Sequence, residues 1–230
     1  GTAGRAHQVF LSNAAHQLRT PLAGLQTRLD LAVDALPPEA RPRIERLRDS
    51  TRRLAHFTHQ MLALARSSSE GALISDHRPV ELAGLLEAAA SDLLDEALAK
   101  RIDLGFETAP ATVDGSRWML REMIANLVEN AITYTPAGGR VTAVCGCDES
   151  GAPFVEVDDD GPGIPPAERE RIFERFYRVG GSGGDGTGLG LAIVKEVADR
   201  HRAEVFVDSG ADGRGTRFRV VFPAPEPAPA

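Results

Sequence analysis

The sequence has few cysteines, no long apolar run and no excess of positive charge. Cys145 and Cys147 are its two cysteines, and their spacing fits neither a zinc site nor a disulfide framework. No apolar run approaches the roughly 20 residues of a membrane-spanning helix, and no signal peptide is recognisable. The net charge of −7 argues against non-specific nucleic-acid binding. These absences predict a soluble globular chain in a reducing compartment, and the helical pattern at its start indicates a piece of a longer protein.

The first 67 residues carry the pattern of two helices separated by a proline-rich turn at 35–42. A single hairpin would expose the apolar stripe of these helices to water, so we predict that two copies form a four-helix bundle. The stripe consists of Leu18, Leu22, Leu25 and Leu29 in the first helix and of Ile44, Leu47, Leu54, Met61 and Leu64 in the second.

One histidine of this hairpin lies apart from the stripe. His16 precedes Leu18 by two residues, about 200° around a helix, which places it on the solvent side. A solvent-exposed imidazole keeps a neutral, nucleophilic fraction at pH 7. Pro21 lacks an N–H, so we expect the helix to bend one turn beyond His16. Taken alone, His16 is more typical of the surface of an ordinary coiled coil than of a reactive site.

Helix and strand patterns alternate between residues 80 and 223, which favours an α/β sandwich with helices on one face of a mixed sheet. We predict helices at 81–101, 116–133 and 189–201, and strands at 102–108, 140–147, 153–159, 203–208 and 216–222. On one of these strands Cys145 and Cys147 share a face with Val141 and Ala143, so we predict both thiols to be buried.

Composition divides the chain into four parts. A polar segment punctuated by Gly and Pro would act as a linker that lets two domains change their relative position. The predicted parts are a helical hairpin at 1–67, the linker at 68–79, an α/β domain at 80–223 and a Pro-rich disordered tail at 224–230.

The helix predicted at 116–133 carries two asparagines on one face. Asn126 and Asn130 are four residues apart, so their amide oxygens could ligate a hard cation such as Mg²⁺ or orient its waters. Glu129 lies beside them as a third polar group. For either asparagine alone, capping or packing is the default interpretation.

The strand predicted at 153–159 ends in a buried position. Its alternation directs Asp159 into a pocket, where a carboxylate can accept the exocyclic amine of adenine, whereas Asp158 and Asp160 are predicted to be solvated. Gly161 and Gly163 would let the backbone turn closely against a base. On its own, this run of Asp and Gly is also typical of a plain turn.

Two further segments precede the last helix. The segment 171–178 is apolar and basic, and by itself predicts an amphipathic turn. The segment 180–190 is rich in glycine and leads into a helix whose free N–H groups can receive phosphate, although a flexible linker explains the glycines equally well. No strand runs directly into these glycines, which excludes a Rossmann motif.

Together, these segments resemble a known family. The run from His16 to Leu22 resembles the phosphoacceptor box of bacterial two-component sensor histidine kinases, and its wording is most similar to sensors of tricarboxylate uptake systems. The four later segments resemble, in order, the N, G1, F and G2 boxes of the GHKL ATPase superfamily. The resemblance covers residues 5–223, and the order of all five boxes makes it specific.

The resemblance implies a protein-histidine kinase. His16 would be phosphorylated from ATP with Mg²⁺, and an aspartate of a response regulator would then take the phosphoryl group. The chain would act as a homodimer in the cytoplasm, attached to the bacterial inner membrane only through segments absent from this sequence. The phosphoacceptor box makes Gln17, Arg19 and Thr20 catalytic candidates, and Thr20 matches the position linked to dephosphorylating the regulator.

The resemblance also assigns a nucleotide site. It implies that Asn126 and Asn130 hold Mg²⁺, that Asp159 binds adenine, that Tyr134 lies against the base and that Arg178 reaches a phosphate. Gly161 and Gly163 complete the adenine pocket. The glycines from Gly180 to Gly190 would form a mobile lid over the phosphates, in which the nucleotide-binding candidates are Gly186, Thr187, Gly188, Leu189 and Gly190.

Two positions depart from the family. Gln17 stands where most members carry an acidic residue thought to take the proton from the histidine, so we predict slow autophosphorylation. Thr133 stands where many members carry a lysine. We predict that the loss of this positive charge weakens ATP affinity or shifts the phosphate contact to Arg178. Both departures keep a pseudokinase scaffold or a response-regulator phosphatase open as alternatives. A clamp-type ATPase of the same superfamily would lack the phosphoacceptor box.

Overall fold

A computed structural model describes residues 41–67, 77–180, 186–210 and 213–224, together with positions 21, 24, 25, 27–29, 31 and 32. The chain divides into two compact units, Gly1–Ala72 and Leu73–Ala230. His16, Gln17, Arg19 and Thr20 lie outside the described residues, as do 68–76 of the predicted linker and most of the predicted turn at 35–42. No helix in the described ranges is long and apolar enough to cross a bilayer.

In the first unit, helix α1 spans Arg41–Ser67, and the described positions between 21 and 32 are also helical. Leu47, Leu54 and Met61 of α1 are 40–55% exposed in the single chain. These residues recur every seven positions, which is the spacing of a seam between helices. Three members of the predicted apolar stripe of α1 are therefore on the surface of one chain.

In its described residues, the second unit contains two sheets and three α-helices. Strands β2, β4, β5, β7 and β6 form, in this order, a five-stranded sheet in which β2 is parallel to β4 and the other pairs are antiparallel. Strands β1 and β3 form a separate antiparallel pair. The elements are β1 (His77–Glu81), α2 (Leu82–Ala99), β2 (Asp103–Thr108), β3 (Thr112–Ser116), α3 (Arg117–Tyr134), β4 (Arg140–Cys147), β5 (Pro153–Asp159), α4 (Gly190–Arg200), β6 (Glu204–Ser209) and β7 (Thr216–Val221).

The core lies between one face of the large sheet and the three helices. Burial alternates strictly along β5 and β7, as expected for strands with one covered face. The side chains on this face include Val141, Ala143, Cys145, Val155, Val157, Phe218 and Val220. The predicted α/β sandwich with helices on one face of a mixed sheet is confirmed.

Three predictions were wrong in this unit. Residues 77–79 belong to β1 rather than to the linker, and β1 and β3 were missed because each is five residues long and β1 buries a single side chain, Val80. Cys147 is exposed, because it ends β4 beside Pro110, whereas Cys145 is buried as predicted. Asp158 is not freely solvated: its carboxylate pairs with the Arg217 guanidinium at 3.1 Å.

Candidate active site

Asp159 ends β5 as a buried carboxylate, 6% exposed. Its Oδ1 accepts the N–H of Gly161 at 2.9 Å and the N–H of Thr216 at 3.2 Å. Burial raises the pKa of Asp159 to about 6, although these two hydrogen bonds act in the opposite direction. Within the described part of the chain, both of these hydrogen bonds end on Oδ1 and not on Oδ2.

The turn before β7 holds Asp159 from the other side. Gly215 has a φ of +69°, and a Cβ at this position would lie 1.6 Å from the backbone oxygen of Asp159. Gly215 and Thr216, which contact Asp159, were not predicted from the sequence. The run Gly213-Arg-Gly-Thr before a predicted strand was the available signal for a tight glycine turn.

The two glycines after Asp159 lie close to neighbouring parts of the chain, whereas their predicted approach to a base stays a prediction. A Cβ on Gly161 would lie 2.8 Å from Asp159 Oδ1 and 3.3 Å from the carbonyl oxygen of Tyr134. Gly163 has a φ of +77°, and a Cβ there would lie 3.0 Å from Gly215 O. The Gly161 backbone therefore fits between the end of β5 and the end of α3 only without a side chain.

The two asparagines of α3 have different surroundings. Asn126 is buried, and its Nδ2 donates to the Glu122 carbonyl at 2.8 Å, whereas Asn130 is partly exposed one turn later. Burial raises the pKa of Glu129 to about 7, and the negative charges of Glu96 and Glu122 add to this effect. No group of three or more His, Cys, Asp or Glu among the described residues could hold a metal ion. Asn130 is therefore the more accessible of the two predicted metal ligands.

Tyr134, the last residue of α3, faces the glycine-rich segment. Its hydroxyl lies 3.2 Å from the position that a Cβ would take on Gly186. The end of α3 thus lies within contact distance of both Gly186 and the Gly161 turn. Residues 181–185 of the predicted lid lie outside the described ranges.

Gly188 connects the glycine-rich segment to the segment 171–178 that precedes it. Gly188 has a φ of +71° and its carbonyl accepts the N–H of Phe176 at 2.8 Å, while Leu189 is buried and its N–H donates to Thr187 Oγ1 at 3.3 Å. Helix α4 then begins at Gly190 without a side-chain cap and without an acidic residue in its first turn. Its first N–H groups are therefore suited to an anion.

The segment 171–178 presents an aromatic and a basic surface. The Arg171 guanidinium lies 4.3 Å from the centre of the Tyr177 ring, and the Tyr177 hydroxyl donates to Glu168. Phe176 is 58% exposed and has a φ of +65°, which is unusual for a residue other than glycine. Arg178 is exposed at the end of this segment.

A buried histidine, also missed from the sequence, holds the start of α3. The Ser116 N–H donates to His201 Nε2 at 3.1 Å, so the ring proton lies on Nδ1 and donates to the Val197 carbonyl at 2.7 Å. The ring stacks on His77 with centroids 5.3 Å apart. Burial lowers the pKa of His201 below its ordinary value. The end of α4 is thereby bonded to the start of α3.

Comparison with known proteins agrees with this geometry. The profile of the "Histidine kinase-, DNA gyrase B-, and HSP90-like ATPase" family matches residues 115–226, and that of the "His Kinase A (phospho-acceptor) domain" matches residues 6–70. A solved structure of a mycobacterial sensor histidine kinase, MprB, is 33% identical, with a TM-score of 0.58 over 64% of this chain and 97% of that one. The chain belongs to the bacterial two-component sensor histidine kinases.

Other sensor histidine kinases match over nearly the whole chain. The sensor protein kinase PmrB of Pseudomonas aeruginosa is 37% identical over 98% of this chain and 47% of its own length. The structure of full-length ShkA in complex with AMPPNP is 31% identical, with a TM-score of 0.70 over 97% of this chain and 48% of that one. The chain spans about half the length of the curated relatives it matches.

Proposed function

We propose that this chain uses ATP to phosphorylate His16 and then passes the phosphoryl group to an aspartate of a response regulator. The observation that carries the proposal is that one chain matches both a phosphoacceptor profile, over residues 6–70, and an ATPase profile, over residues 115–226. Neither a phosphoacceptor helix nor an ATPase domain alone would suffice for this reaction.

Adenine would bind at the end of β5. The Asp159 carboxylate offers Oδ2 to the exocyclic amine of the base, while Gly161 and Gly163 let the backbone lie against the ring. Tyr134 would cover the base. The phosphates would lie at the start of α4, where Gly186, Thr187, Gly188, Leu189 and Gly190 supply a backbone with few side chains. Arg178, exposed beside this segment, would reach a phosphate.

The α3 face fits a magnesium ion shared with the phosphates. Asn130 presents a partly exposed amide, and Asn126 lies one turn earlier on the same face. Amide oxygen is a suitable ligand for Mg²⁺, which in phosphoryl transfer neutralises the charge on the phosphates. We assign Asn130 as the main protein ligand and Asn126 as the residue that supports it.

In the transfer step, an imidazole nitrogen of His16 would attack the γ-phosphorus in line, the bond to the β–γ bridging oxygen would break, and ADP would leave. The proton of the attacking imidazole must go to a base. Gln17 has no basic group, so water or a residue outside the phosphoacceptor box would take it. Arg19 and Thr20 follow His16 by three and four residues in the sequence, and Thr20 would assist removal of phosphate from the regulator.

The hairpin at 1–67 would act as a homodimer, because Leu47, Leu54 and Met61 leave an apolar stripe exposed on one chain. The linker, shortened to 68–76 by β1, would let the ATP-binding domain at 77–223 reach the hairpin, and 224–230 would be a disordered tail. The full-length protein would be an inner-membrane sensor with this region in the cytoplasm.

The test is incubation with Mg²⁺ and ATP labelled on the γ-phosphate, beside a His16→Ala variant. Phosphohistidine is labile to acid and stable to alkali, so label with this behaviour that is absent from the variant supports the proposal. A chain that binds ATP without acquiring label would instead be a scaffold or a phosphatase. A Gln17→Glu variant should be labelled faster at saturating ATP.

A further inference from the structure

Helix α3, which carries Asn130 and Tyr134, ends without the usual means of satisfying its last carbonyl groups. The final four carbonyls of a helix have no partner within it. In α3 the last turn contains no basic residue, and the capping residue is Thr135 in an extended conformation rather than a glycine. The Thr135 N–H donates to Ala131 O at 3.0 Å, which accounts for one of the four.

Lys100, at the end of α2, donates hydrogen bonds to two more of the final four carbonyls of α3. Its Nζ donates to the Ile132 carbonyl at 2.8 Å and to the Thr133 carbonyl at 2.5 Å. A cation at a helix C-terminus also interacts favourably with the helix dipole. The ammonium group is thus directed at the backbone of α3, at the two residues that precede Tyr134.

The backbone of Lys100 is also hydrogen-bonded near the end of α3. The Gly138 N–H, in the connection after α3, donates to the Lys100 carbonyl at 3.2 Å. Burial lowers the pKa of Lys100, and the negative charge of Glu96 acts in the opposite direction. The side chain of Lys100 is therefore hydrogen-bonded to the end of α3, and its backbone carbonyl is hydrogen-bonded to the connection that follows α3.

We propose that Lys100 is a positioning residue for nucleotide binding, because it holds the last turn of α3 so that Asn130 and Tyr134 face the nucleotide. This inference rests on the proposed function, which assigns those two residues to Mg²⁺ and to the base. Lys100 does not take the place of the lysine that many relatives carry at position 133. Its ammonium group binds carbonyl oxygens, so its effect on ATP and on ADP is the same.

The experiment measures the Kd for Mg²⁺–ADP and for a non-hydrolysable Mg²⁺–ATP analogue by calorimetry, on the full chain. Lys100→Met removes both hydrogen bonds with little change in length, and Lys100→Arg keeps a cation with several donors. The control is Lys195→Met, which removes the other lysine of the chain from an exposed ion pair with Asp199. Fluorescence of Trp118, the single tryptophan, reports that α3 is folded in each variant.

We expect Lys100→Met to raise the Kd about tenfold for both nucleotides, Lys100→Arg to restore it to within about threefold, and Lys195→Met to leave it unchanged. A Lys100→Met variant that is folded and binds within twofold of wild type overturns the inference. A loss of affinity in Lys100→Met that is larger for the ATP analogue than for ADP also overturns the inference, because a cation that binds the γ-phosphate would produce that difference.

Two results separate this inference from the proposed function. If Lys100→Met does not fold, Lys100→Gln keeps one N–H donor group and should raise the Kd by a smaller factor, and an unchanged Kd for this variant overturns the inference. A wild-type chain that binds neither nucleotide overturns the proposed function and the inference together, whereas normal wild-type binding with no effect at Lys100 overturns the inference alone.

Discussion

The two ends of α3 are held by different chemistry. At its start, the Ser116 N–H donates to a neutral, buried His201, and at its end the carbonyls of Ile132 and Thr133 accept from the charged Lys100. Each partner matches the groups it serves, since a helix starts with free N–H groups and ends with free carbonyls. The start lies far along the helix from Asn130 and Tyr134, whereas Lys100 lies beside them. We therefore expect the two ends to govern stability and nucleotide affinity separately.

The largest effect on stability is expected at the start of α3. His201→Ala removes the acceptor for the Ser116 N–H and leaves a cavity, so it should lower the free energy of unfolding by about 3 kcal/mol. Urea unfolding followed by Trp118 fluorescence measures this change. His77→Ala removes the exposed ring that stacks on His201 and should cost less than about 1 kcal/mol. Equal losses for the two variants would contradict the role given to the Ser116 hydrogen bond.

A glycine beside His201 gives the next largest effect. A Cβ at Gly115 would lie 2.5 Å from His201 Cδ2, so Gly115→Ala should destabilise the domain by roughly 2 kcal/mol. Gly84, in α2, has open space around it, and Gly84→Ala should stabilise by about 0.5–1 kcal/mol. The same unfolding measurement compares the pair. Stabilisation at both positions would mean that His201 is not fixed in its place.

The smallest expected effect is a pH dependence at the same end. Burial lowers the pKa of His201, so its contribution to stability is present above the ordinary value of about 6.5 and is lost as the pH falls through its folded-state pKa. His77 and Asp114 are the nearby titratable groups. Between pH 8 and pH 5, wild type should therefore lose more of its free energy of unfolding than His201→Ala does. Parallel curves for the two proteins would contradict a neutral histidine.

Sequence patterns predicted the elements of this fold better than its tertiary contacts. Helix α3 and strands β4 and β5 lie where periodicity placed them, and the burial of Asp159 followed from strand alternation. Lys100 and His201 were missed because their bonds join residues 32 and 85 positions apart. Periodicity describes the face of an element, but it does not say which distant backbone group that face will meet.

The hydrogen bonds at Asp159 also depend on distant chain. Thr216 lies 57 residues beyond Asp159, and its N–H reaches the carboxylate only because β5 pairs with β7. Asp159 was predicted from the resemblance to sensor kinases, but the N–H groups that donate to its carboxylate were not. The structure adds that, among the described residues, both N–H groups that donate to this carboxylate reach its Oδ1.

The most direct test of this account is the pH dependence of ADP affinity in wild type and in Asp159→Asn. Because the pKa of Asp159 is about 6 and the ionised carboxylate is the better acceptor for adenine, wild-type affinity should fall about tenfold between pH 7.5 and pH 5. Asp159→Asn should bind more weakly at pH 7.5 and lose this part of the pH dependence, while keeping the part that comes from the phosphates. Identical pH profiles for the two proteins, or equal affinity at pH 7.5, would contradict an adenine site at Asp159.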